Sequence, residues 1–174
     1  MKKITFLFAL LIFACSSAFA QINKDQTVAE WTRAKAYTKA YLDAMPADGF
    51  AFKATPEVRT FAGQMLHLAD ANYFFISTAS GKASPMGKES AEKSVAQTKE
   101  ATTKAVLDSY DFAISTIQGM TDAQFQEEVT MGKDRKSTRG LLLAKAFEHQ
   151  THHRGQATIY LRLKGATPPP EMLF

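Results

Sequence analysis

The chain has 174 residues, 45% of them hydrophobic, which suits one domain with a continuous core and would strain two. Its formal charge of +4 includes Lys2 and Lys3, so residues 21–174 carry +2, too little to argue for a nucleic-acid partner. Cys15 is the single cysteine, so a chain cut after Ala20 has neither disulfide nor thiol nucleophile, and its stability must come from its core.

The first twenty residues read as a secretory signal peptide: a basic start at Lys2 and Lys3, an apolar run from Ile4 to Ala14, and Ala18-Phe19-Ala20 as a small-x-small cleavage site. That run is shorter than the roughly twenty residues a spanning helix needs, so no transmembrane anchor is expected. Ile12-Phe13-Ala14-Cys15 loosely resembles a lipobox, making lipid attachment at Cys15 the lesser alternative. Either processing route places the mature domain, residues 21–174, outside the cytoplasm, periplasmic or secreted.

From Asp25 to Met45 the apolar positions Val28, Trp31, Ala34, Tyr37, Tyr41 and Leu42 recur at steps of three and four, predicting an amphipathic helix that Pro46 and Gly49 end. A second helix is predicted to open at Thr55-Pro56-Glu57 and to run to about Ser80, carrying His67. Gly81 to Gly87 reads as a loop, and a third helix of about thirty residues is expected from Ser90 to Gly119. Periodicity then lapses between Thr121 and Arg139, predicting an irregular crossing segment with a short extended piece. The last helix is predicted from Ser137 or Thr138 to Lys164, where Gly165 and Pro168-Pro169-Pro170 stop it. Four such helices make an all-α four-helix bundle the economical fold, although two links are longer than a minimal hairpin needs.

Chemistry concentrates in the last helix. His149 and His153 are four residues apart, so both imidazoles leave one helix face within reach of one metal ion. They share a stripe with Leu142, Ala146, Ala157 and Tyr160 and therefore face the core. His152 lies about 100° around the helix, though a His149 and His152 pair stays open as an alternative. With His67, on a stripe where Gly63 and Ala71 leave room, these supply three nitrogens and an open coordination position. The plainer alternative is a set of hydrogen-bonded core histidines, since spacing alone does not bring His67 to the others. Asp70 is placed to orient His67 or simply to be solvated, and Tyr160 to reach a substrate or to pack.

The run His149-Gln150-Thr151-His152-His153-Arg154-Gly155-Gln156, followed by an aliphatic stretch, Leu163-Lys164-Gly165 and prolines, resembles the C-terminal signature of the DinB family, the DinB/YfiT-like superfamily. Phe61-Ala62-Gly63-Gln64-Met65-Leu66-His67-Leu68-Ala69-Asp70 resembles the helix bearing that family's first metal histidine. The likeness runs from about Val28 to Pro169. It implies a four-helix bundle with a divalent metal ion, zinc, nickel, iron or cobalt, held by His67, His149 and His153, with His152 a neighbour, and a possible homodimer. It also implies either metal-dependent hydrolysis or transfer to a low-molecular-weight thiol. Arg154 and Gln156 match the motif as substrate contacts or helix contacts, and Gly155 as a point of close helix packing. Export favours hydrolysis of a small substrate, because such thiols belong to the reducing cytoplasm. A metal- or ligand-binding protein without turnover, and a structural domain with vestigial histidines, are the competing classes.

Overall fold

The computed structural model describes residues 23–174, so the expected signal peptide and Cys15 lie outside the described residues. Helix α1 (Lys24–Ala44) begins with a capping box in which the Asn23 side chain accepts from Gln26 N while the Gln26 side chain accepts from Asn23 N. It buries Trp31, Ala34, Tyr37, Thr38, Tyr41 and Leu42, the stripe read from the sequence with Thr38 added and Val28 only half-buried. Helix α2 (Phe61–Ser80) starts later than predicted. Thr55-Pro56-Glu57 lies in turns, and Thr60 is the cap, its hydroxyl accepting from Gly63 N at 2.9 Å. The intervening backbone is committed elsewhere: Phe61 N donates to Phe52 O and Ala62 N to Phe50 O, both at 2.9 Å. Gly81, at φ 77°, ends α2 in the left-handed conformation that glycine adopts at little cost.

The third predicted helix is two. Helix α3 (Ala91–Ser94) is one turn long, Val95 is extended, and α4 (Lys99–Gln118) restarts with the Thr98 hydroxyl accepting from Ala101 N. The break is held from a distance, because Gln97 accepts a hydrogen bond from the Thr60 hydroxyl at 2.6 Å. In the crossing segment β1 (Glu128–Met131) and β2 (Arg135–Thr138) form an antiparallel hairpin, pairing Met131 with Arg135 and Glu128 with Thr138. The extended piece is thus a pair of strands turning at Gly132. Thr138 caps α5 (Arg139–Leu163), which ends at Lys164 and Gly165 as read.

Helix α2 packs against both α4 and α5, and α1 packs against α4 and, less extensively, α5. The ring order is therefore α1, α4, α2, α5, with sequential helices α1 and α2 on one diagonal and α4 and α5 on the other. This explains the two long links, since each must cross the end of the bundle rather than turn beside it. No described helix is long and apolar enough to cross a membrane.

A buried polar junction joins three of the helices. Tyr110 on α4 donates to Gln150 Oε1 at 2.9 Å and lies 2.8 Å from the Thr38 hydroxyl on α1. Arg154 donates to the same Gln150 oxygen at 2.7 Å, and its guanidinium sits 4.4 Å from the Tyr37 ring centroid. Arg154 is therefore a buried helix-to-helix contact. Burial pushes the Tyr110 hydroxyl up to about 12, keeping it a donor, and lowers the Arg154 pKa from its usual value.

Gly155 is not a packing point, because a Cβ added there meets nothing within 4 Å. Gly155→Ala should therefore raise stability by about 0.5–1 kcal/mol through helix propensity. Gln150→Ala should lower it by about 3 kcal/mol, since it leaves a buried guanidinium and a phenol without their acceptor. Both are measured by urea unfolding.

Candidate metal centre

Helix α5 turns 100° per residue, so facing Gln150 and Arg154 into the α1 and α4 side leaves His149 and His153 facing α2. There they meet His67. One ring nitrogen from each of His67, His149 and His153 lies within 4.8 Å of the other two. The His67 ring centroid is 5.4 Å from that of His149 and 4.7 Å from that of His153. His149 and His153 approach through their Nε2 atoms, 3.1 Å apart. Two imidazoles on one tetrahedral zinc ion, at about 2.05 Å each, would place their nitrogens about 3.3 Å apart. The donor set and spacing thus fit a single divalent ion. His152 is exposed and stands outside the cluster, its ring edge-on to His153, so the alternative pair with His149 is not formed.

The outer nitrogens are engaged unequally. Gln64 lies 2.6 Å from His153 Nδ1 and also donates to Gln156. His67 Nδ1 is flanked by Arg59 Nη2 at 3.4 Å and Glu92 Oε2 at 3.5 Å, and Arg59 Nε donates to Glu92 Oε1 at 2.8 Å. His149 Nδ1 is buried without a partner. With the Gln64 amide N–H donating to His153 Nδ1, the His153 proton sits on Nε2 and is offered to His149 Nε2. His149 then carries its proton on the unpartnered Nδ1.

Asp70 and Tyr160 act at one remove. The Asp70 carboxylate accepts from the Ser90 hydroxyl at 2.6 Å, from Ala91 N at 2.5 Å and from Glu92 N at 3.1 Å. It is the cap that α3 lacks from its own residues, and it delivers Glu92 to His67. Tyr160 donates to Arg59 O at 2.8 Å, fixing the segment that carries the Arg59 side chain. The room at Gly63 serves the Thr60 cap, since a Cβ there would stand 3.0 Å from Thr60 Oγ1. Sequence reasoning missed Glu92 and Arg59, which lie in an interrupted helix and a turn where no periodicity marks a facing residue. Gln64 stands one turn before His67 on α2, within the run that carries the resemblance, but its contact with α5 joins residues 89 and 92 positions apart and has no local signal.

Burial lowers the pKa of all three histidines, for His153 to about 3; the neighbouring imidazoles add to the shift at His149 and His153, and the Arg59 cation adds to it at His67. They are neutral at pH 7 and able to ligate. In an unfolded chain the same imidazoles protonate near pH 6.5, so on acidification the unfolded state binds more protons and the folded state loses stability. In chelator-treated protein, unfolding free energy should fall as pH drops from about 6.5 toward about 3. His153→Ala should flatten that slope in urea titrations at pH 7.5, 5.5 and 4.

The DinB family model matches residues 18–172. No curated protein matches the sequence. Among solved structures, a DinB-like protein from Bacillus cereus ATCC 10987 is 20% identical, with a TM-score of 0.74 over 84% of this chain and 96% of that one. A second DinB-like protein, YjoA from Bacillus subtilis, is 17% identical, with a TM-score of 0.70 over 84% of this chain and 97% of that one. At these identities the two structures speak for the fold, and the match of the family model over nearly all of the described chain places it in the DinB family.

Proposed function

We propose that the chain is an exported metal-dependent hydrolase of small substrates, in which His67, His149 and His153 hold one divalent ion. The convergence of three neutral imidazole nitrogens within 4.8 Å carries this reading. When bound, such an ion supplies Lewis-acid polarisation of a substrate oxygen and acidifies water. The residues of the chain supply the rest. For His153 to ligate through Nε2 its proton would sit on Nδ1, and Gln64 would accept a hydrogen bond from that N–H through Oε1 after a half-turn of its amide, which Gln156 would follow. With its proton on Nδ1, turned toward the Glu92 carboxylate that Arg59 holds, the His67 ring would keep Nε2 for the ion. The signal-like residues 1–20 support export, and export favours hydrolysis over thiol transfer.

Elemental analysis of protein purified without a histidine tag should find about one transition-metal ion per chain, lost in both His67→Ala and His149→Ala. Glu92→Gln should weaken metal affinity by about tenfold to a hundredfold without removing the site. Turnover of ester or amide substrates that depends on the ion supports the hydrolase. Stoichiometric metal with no turnover would make this a binding protein, and no metal after reconstitution would sink the reading.

A further inference from the structure

The cluster opens on two sides along α5. Toward the helix C-terminus, His153 borders a mixed cavity that carries the polar side chains of Arg59, Glu92, Gln64 and Gln156 beside Val58 and Ile159. Toward the N-terminus, His149 ends a cleft of about 510 Å³ between α5 and the hairpin. The two clefts differ in chemistry.

The N-terminal cleft has an apolar floor of Phe75, Met131, Leu141 and Leu142 and a cationic rim. Lys145 on that rim is already paired with Glu148 at 2.6 Å. Arg135 and Lys136 have no ion-pair partner among the described residues. Arg135 is directly opposite Met131 in the hairpin, so their side chains share one sheet face and a single ligand can meet both. A guanidinium fork beside an apolar floor fits a planar anion attached to a hydrocarbon body.

We propose that this cleft binds an amphiphilic carboxylate, its acid held by Arg135 and its apolar chain lying over Met131 and Leu142 toward His149. The reading of His149 as part of the reacting centre determines only which end of the ligand reacts, while binding itself rests on the cleft. The test is calorimetric titration of chelator-treated protein with octanoate and, as the uncharged match, octanol. Octanoate should bind about tenfold more tightly than octanol, and Arg135→Gln should abolish that advantage while leaving octanol unchanged. His67→Ala, which removes a proposed ligand outside the cleft, should leave both affinities as they are, so a failed metal site would not mask a working cleft. Arg135→Glu, which should repel octanoate, is the second variant, and retention of the wild-type far-UV spectrum is the check that both variants fold. Equal affinity for acid and alcohol, no binding of either at millimolar concentration, or octanoate binding that survives Arg135→Gln would overturn the assignment.

Discussion

The site depends on how α5 is rotated about its own axis, and the Gln150 and Arg154 junction sets that rotation. The side-chain oxygen of Gln150 takes hydrogen bonds from both Tyr110 and Arg154, so α4 and α5 share one buried acceptor, and α1 joins them through the Thr38 hydroxyl against that of Tyr110. Hydrophobic packing tolerates small rotations, but a buried guanidinium without its acceptor does not. Because His149 and His153 each precede a junction residue by one position, their direction follows from this constraint. A shift of α5 by one residue would turn the histidines away from α2 and strand the cation together.

The ring order of the helices gives the second requirement. The histidines come from α2 and α5, which are adjacent in the bundle but separated by α4 in the chain. That arrangement needs both diagonal crossings, and the crossings are not passive. The link before α2 brings Arg59 to His67, and the link before α5 brings the hairpin to the mouth of the cleft beside His149. The residues that tune the cluster therefore come largely from segments outside the four long helices.

This division explains what could be read from the sequence. The stripes of α1 and α5 are legible because each long helix buries one face, and the imidazoles on α5 follow that period. His67 is legible as a third histidine on a roomy stripe and by resemblance, but its approach to the pair is a tertiary fact. The start of α2 was misplaced because Thr55-Pro56-Glu57 carries cap signals, whereas Phe50 and Phe52 claim the first amides of a later start. The split between α3 and α4 was missed because Gln97 is held by Thr60, 37 residues away. Glu92 was hidden for the same reason, since a one-turn helix has no period and its placement is written in Asp70 on another element. Arg154 was visible as a helix contact, but not as a buried one, because position in the heptad does not distinguish a junction cation from a solvated one.

Asp70 lies one turn beyond His67 on α2, and it anchors the start of the segment that carries Glu92. The imidazole and the carboxylate that faces it are thus fastened to the same rod at neighbouring points. The stretch between Gly81 and Glu89 only has to return the chain to that clasp. Met86 within it packs against the core, but neither end of the clasp depends on its length, so a graft inserted between Gly81 and Pro85 would leave the cluster as it is.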